Sequence, residues 1–396
     1  MATQGYELES YGKGVEGIVV HRLRWSEAEM REAETVMPEM PHPVLTPSAS
    51  QSSACSQSHA EEPNAAGQSI GHDFVGLSIG PPDSRSASWW FISPDTWTID
   101  DAPEELKKRP RSAVELTHTM AKIHRWLAQW VDGDSNPFIH HQLYRHRFPQ
   151  SVQDAYMVLS CYLHRKPSNE QAIFRIVQDR ARQLVEQDTL SAHSQLGTVI
   201  ITSATLDPLE HLARSHALLI YQLISLYDGN IRLRCIAESH VPVLDDWMRQ
   251  AVDRASRSGN LGSFLVSPSN TEAAYRDVPW EKLVWHSWII AESLRRTWLV
   301  ASAVQGVYMT SQDGLAHCLG GMMFTSRQGF WEATSALAWQ KRCSEVYGGL
   351  IRLTETDKLF TFIAPEDLDD FAKVILEVTF GMEQMERWGV DASNSS

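Results

Sequence analysis

The stretch Trp280–Tyr308, WEKLVWHSWIIAESLRRTWLVASAVQGVY, decides the fold class. Val284, Trp288, Ala291, Leu294, Trp298, Ala301 and Val304 recur at steps of three and four, the spacing that stacks side chains on one face of an α-helix. Leu283, Ile289, Ile290, Leu299 and Val300 widen that stripe beyond one face, which predicts a helix packed on several sides and central to its domain. Inside it stand Glu292, Arg295 and Arg296, where an unpaired charge is costly. Glu292 and Arg296 are four apart in the favourable order and predict an internal ion pair; Arg295 is expected to pair with a carboxylate from elsewhere. Effector binding by these three residues is the alternative reading.

The same periodicity extends to both sides. Ser112–Val131 carries Val114, Met120, Ile123, Leu127 and Trp130, and a loop is expected at Asp132–Pro137. Ser151–Leu163 and Asn169–Val185 each place their apolar residues on one face, separated by Lys166–Asn169. Asp207, Pro208 and Glu210 mark a helix start with cap, first-turn proline and capping-box acid, and Asp228, Gly229 and Asn230 its end. A helix over Ile231–Glu238 leads through Pro242 into another over Leu244–Ala255. No two-residue alternation is long enough for a sheet and no strand–helix alternation suggests a dinucleotide fold, so the reading is all-α, a multi-helix bundle-like domain over residues 89–396. Residues 1–88 are rich in Ser, Pro, Gly, Gln and Glu, with a low-complexity stretch over Pro41–Gly67, and read as a largely disordered extension. Within it Ile18–Leu23 could form a short strand and Ser26–Val36 a capped helix.

With 396 residues, 43% of them hydrophobic, the chain can bury a substantial core. Its formal net charge of −14 repels phosphate backbones, so the chain alone is expected to bind nucleic acid poorly. No apolar run approaches the ~20 residues of a membrane span, and Met1–Tyr11 has neither the basic start nor the apolar core of a signal peptide; an intracellular protein without membrane contact is expected. Cys55, Cys161, Cys235, Cys318 and Cys343 have no close pair of the kind structural zinc sites use.

The search for chemistry returns little. A Gly-flanked hydrolase serine, a phosphate-cradling loop and a Gly-rich dinucleotide turn are all absent, and no cofactor is expected. His140, His141 and His146, with Arg145 and Arg147, are read as a polar helix surface rather than a metal site. The magnesium-binding carboxylate patterns of all-helical terpene cyclases are near misses: Asp245 and Asp246 are followed by Arg249, and Asp188 and Ser191 by Gln195. The basic run Lys107, Lys108, Arg109, Arg111 is a candidate nuclear import signal or a solvated loop.

The C-terminal segment Pro365–Trp388 is expected to form one helix, with Glu366, Asp367, Asp369 and Asp370 as acids of its first turn. Leu368, Phe371, Ile375, Val378, Met382 and Met385 alternate steps of three and four and form an apolar seam. It docks on the chain's own core or pairs with a second copy or a DNA-bound partner.

Three stretches carry a resemblance. They are Asn136–His140 with Leu143–Pro149 and Gln153–Tyr156; Leu218–Arg234, LLIYQLISLYDGNIRLR, with Ala237, Glu238, Pro242, Leu244 and Trp247; and Trp285–Leu299, WHSWIIAESLRRTWL, with Gly306–Tyr308, Phe330, Trp331, Ala333, Ser335 and Trp339. In this order, over roughly residues 88–350, they resemble the regulatory middle region of the fungal zinc-binuclear-cluster transcription factors. The resemblance implies a nuclear, helical regulator of a biosynthetic or catabolic gene set, with other transcription regulators, a second copy or a small effector as partners. Relatives carry six clustered cysteines before this region that hold two zinc ions and read DNA. Here Cys55 is the only N-terminal cysteine, so direct base readout by this chain is not expected. The chain is read either as a cofactor that acts through other proteins or as one whose upstream exon holds the cluster. An all-helical enzyme or a scaffold of the same pathway is the alternative function.

Overall fold

Ser112 and Asp207 show why helices start where they do. The Ser112 hydroxyl accepts from the Glu115 amide at 3.1 Å while the Glu115 carboxylate accepts from the Ser112 amide at 3.1 Å. Asp207 and Glu210 make the same reciprocal pair at 3.0 and 3.3 Å, with Pro208 at the first helical position. Each box satisfies amides that have no partner within the helix.

The computed structural model describes residues 89–101, 111–193, 206–266, 276–314, 321–346, 350–354, 360 and 363–394. The expectations for residues 1–88 lie outside them. Among the described residues there are ten α-helices: α1 (Ala113–Gly133), α2 (Gln150–Leu163), α3 (Glu170–His193), α4 (Pro208–Tyr227), α5 (Ile231–Ser239), α6 (Val241–Ser256), α7 (Trp280–Asp313), α8 (Ala336–Glu345), α9 (Asp370–Phe380) and α10 (Met382–Asn394). Short 3-10 turns stand at Pro94–Trp97, Leu261–Leu265 and Pro365–Asp367. Strands β1 (Phe324–Thr325) and β2 (Leu350–Ile351) pair antiparallel, Phe324 opposite Ile351 and Thr325 opposite Leu350. The fold is all-α. No described helix is long and apolar enough to cross a membrane.

Two helices are buried nearly all round. In α4 every residue from Leu209 to Leu226 except Glu210 is buried, and in α7 every residue from Trp288 to Tyr308 except Ser302. Helices α2, α3, α5 and α6 surround α4, while α1, α8, α9 and β1 lie against α7. Polar rungs join the two: His216 Nε2 to Thr297 Oγ1 at 2.7 Å, Gln305 Nε2 to Gln222 Oε1 at 3.1 Å, and the Tyr227 hydroxyl to the Val304 carbonyl at 2.6 Å. Thr297 gives its one hydroxyl proton to the Ser293 carbonyl, so His216 donates from Nε2 and accepts from Tyr144 at Nδ1. The turn Leu261–Leu265 presses against α7 at Gly262, where an added Cβ would lie 2.0 Å from the Leu283 carbonyl oxygen. Only glycine fits there.

Several expectations need correction. Pro365–Trp388 is not one helix. Pro365 opens a 3-10 turn, Asp369 caps α9, and Gly381, at φ 88° and ψ 161°, breaks the chain before α10. That backbone conformation is open essentially to glycine alone. Pro242 lies in the first turn of α6 rather than in a linker. Helix α1 runs to Gly133, with Asp134 closing it in the left-handed conformation, so the expected loop starts two residues later. The His140–Arg147 segment is not helical. Asn136 folds it inward: its side-chain oxygen accepts from the amides of Phe138 and Ile139 at 2.9 and 2.7 Å, and its amide group donates to the Trp126 carbonyl at 3.1 Å.

Candidate functional site

The charge group of α7 is fully buried: Glu292 and Arg295 are 0% exposed and Arg296 1%. Glu292 and Arg296 form the expected pair across one helical turn, Nε to Oε1 at 3.0 Å. Glu292 also accepts from the Thr325 amide at 2.8 Å and the Thr325 hydroxyl at 3.1 Å, clamping β1 onto α7. Arg296 donates to the carbonyls of Pro137 at 2.8 Å and Thr325 at 3.0 Å and to Asp369 Oδ2 at 2.5 Å, with its guanidinium 4.1 Å from the centre of the Trp331 ring. One side chain thus ties α7 to β1, to the segment before α2 and to the cap of α9.

The partner of Arg295 differs from expectation. The distant carboxylate, Asp369, meets Arg296. Arg295 instead reaches the Phe91 carbonyl, the Thr96 hydroxyl at 2.8 Å and the Thr96 carbonyl at 3.3 Å, and lies over the Trp97 ring. Its nearest charge is Glu292, at 3.7 Å. Carbonyl oxygens can hold a guanidinium because its planar fork presents five donors. Burial lowers the Arg295 pKa to about 10, which leaves it charged at neutral pH. Burial also pushes the Asp369 carboxyl up to about 6, against the pull of Arg296.

Two clefts flank the segment between Trp331 and α8, and Thr334 lines both. One, of about 470 Å³, reaches the charge group itself and is lined by Asn136, His141, Arg296, Trp331, Asp369 and Phe371 among others. The other, of about 610 Å³, lies between the starts of α7 and α8 and is lined by Arg145, His146, Lys282, Trp285 and Leu337 among others. His140 sits beneath this region, 1% exposed, with its ring edge-on to Trp331 at 4.9 Å; burial holds its pKa well below the usual histidine value. This corrects the expectation of a polar helix surface. Within the basic cluster, Arg147 binds both capping-box acids of α4, Asp207 and Glu210.

The remaining sequence candidates fall elsewhere. Lys107, Lys108 and Arg109 lie outside the described residues, while Arg111 donates to the Thr379 carbonyl at 3.1 Å and so anchors α9. In the seam, Leu368, Phe371 and Ile375 are buried in the chain's own core, Phe371 stacking on Trp126 at 5.8 Å. Val378 packs half-buried against that core, and Met382 and Met385 follow the break at Gly381 on α10. Asp245 is paired with Arg249 at 2.9 Å and Asp246 with Gln250 at 2.7 Å. Burial raises the Cys343 thiol to about 12, which makes it a poor nucleophile. Sequence reading missed Asn136, Thr325, Asp369 as partner of Arg296, and α8. The Asn-Pro pair at Asn136–Pro137 is a turn signal that could have found the first.

No family model matches the chain, and no solved structure does. Among curated proteins it is similar to Transcription factor gsfR2 of Penicillium aethiopicum, with 31% identity over 254 residues, which is 63% of this chain and 56% of that protein. The chain therefore spans a little over half the length of the relative it matches, and the likeness supports a place among the fungal transcription factors.

Proposed function

We propose that this chain is a transcriptional regulator of the fungal transcription-factor family, acting in the nucleus on a secondary-metabolite gene set. The observation that carries the reading is the similarity to a protein named as a transcription factor, 31% identical over 254 residues. The helical architecture is consistent with it, and so is a charge group whose ions are engaged with one another and with the backbone rather than open to a substrate. Regulation proceeds through protein contacts or through a small effector held between helices. Direct reading of DNA is not assigned to these residues, because a net charge of −14 opposes phosphate binding.

The test is a fusion of the full chain to an unrelated DNA-binding domain, directed to a reporter promoter in a filamentous fungus. A several-fold change in reporter transcript is expected, its sign distinguishing activator from repressor. Deletion of the native gene should shift transcripts of a co-regulated biosynthetic set. Unchanged transcripts in both, with the fusion present in nuclei, overturn the reading.

A further inference from the structure

We propose that the cleft between the starts of α7 and α8 is a binding site for a small organic carboxylate with a flat apolar body. Four observations carry this. The cleft has a volume of about 610 Å³, within the range of small-molecule sites. Its apolar lining comes from Pro279, Trp285, Ala336 and Leu337, so a ligand leaves water mainly through its hydrocarbon part. At its edge stand Arg145, Lys282 and His146, against the single acid Glu281, in a chain where acids outnumber bases 49 to 35. The neighbouring Arg147 is held by Asp207 and Glu210, whereas the charged ends of Arg145 and Lys282 make no ion pair within the described structure.

The backbone adds to the same field. The first amides of a helix have no intrahelical acceptor. In α8 these belong to Ala336 and Leu337, which line the cleft, and the start of α7 at Pro279 and Glu281 lines it too. Positive helix ends therefore reinforce the two cations. His286 is buried next to Trp285, and burial first, then the Lys282 and His146 charges, lower its pKa to about 4. One carboxylate matches two cations and one opposing acid better than a multiply charged phosphate does, and the apolar lining needs a body to cover it.

Binding is tested on the purified chain, so its failure is separable from failure of the regulatory reading, on which only the ligand's role as effector rests. Calorimetry with 1-naphthoate should give saturable binding that weakens as salt rises, while neutral 1-naphthamide binds at least tenfold more weakly. Arg145→Glu and Lys282→Glu, both on side chains that reach solvent, should each lower naphthoate affinity tenfold or more without changing the thermal midpoint or naphthamide binding. Arg257→Glu, on the exposed end of α6, should leave both ligands unaffected. Inorganic phosphate should compete no better than chloride. Absence of naphthoate binding at millimolar concentration, equal binding of acid and amide, indifference to both charge reversals, or preferential binding of phosphate overturns the proposal.

Discussion

Glu292 is the residue on which the buried charges depend. It faces Arg295, Arg296 and two donors of Thr325, and is itself 0% exposed. Glu292→Gln leaves two buried guanidinium groups short of negative charge, and loss of one partner of a buried pair costs about 3–5 kcal/mol. Asp369→Asn should cost less than half of that, because burial already favours the neutral carboxyl and an amide oxygen can still cap α9 through the Ala372 amide. Urea midpoints at unchanged m-value measure both, and an Asp369→Asn loss equal to that of Glu292→Gln contradicts this account. Acid sensitivity belongs to the same scale. Burial lowers His211 and His216 to about 3 and His286 to about 4. A lowered folded pKa means the unfolded chain takes up the proton first, so stability is full above about 6.5 and falls with pH below it. Between pH 7 and 5.5 the three together cost about 4 kcal/mol. Asp369, whose raised pKa has the opposite sign, gains stability as pH falls through about 6 and offsets about 1 kcal/mol. A net loss of at least about 3 kcal/mol over that interval is expected, since burial also lowers His124, His140, His141 and His240; chemical unfolding at each pH reads it, and a flat profile contradicts it.

Among the elements, α9 is the one whose covering was open. Ile375 is 2% exposed and Leu376 0%, and Glu377 meets Lys122 of α1 at 2.6 Å. Ile375→Asp places an unpaired charge in the core and should remove cooperative unfolding altogether, whereas an interface role would leave a stable monomer. Circular dichroism with sedimentation separates the two outcomes. Helix starts were legible because they are local: Asp207, Pro208 and Glu210 lie within four positions of one another, and the steps of three and four in α7 need no distant information. What the sequence could not display was whatever joins remote positions. Arg295 bonds the Phe91 carbonyl across 204 residues, and Trp331 reaches the Asn136 carbonyl at 3.0 Å across 195. No spacing rule contains such pairs, so the burial of His140 and the exchange of partners between the two arginines were invisible. The break at Gly381 was different. A lone glycine inside an apolar repeat is a local warning, and the regular seam on either side of it masked the signal.

For the whole molecule, charge and address set the expectations. The purified chain should bind random and promoter duplexes about equally weakly, because an acidic surface gains nothing from counterion release. Tight, sequence-selective binding in a salt titration contradicts this. Nuclear entry, if the chain carries its own signal, depends on Lys107, Lys108 and Arg109. A fluorescent fusion with these three changed to Ala should remain cytoplasmic. Arg111 is left intact in that variant, since its bond to Thr379 supports the fold. The clamp centred on Arg296 has a further consequence, one of timing. Asp369 follows Arg296 by 73 residues. At roughly 5–20 residues per second of synthesis, the ribosome delivers the carboxylate about 4–15 s after the arginine. Throughout that interval the nascent central helix carries a cation whose second counter-charge has not yet been made. Closure of the domain around α7 is therefore deferred until residue 369 has been made, and a chain cut between Arg296 and Asp369 is expected to lack the second counter-charge of its central helix.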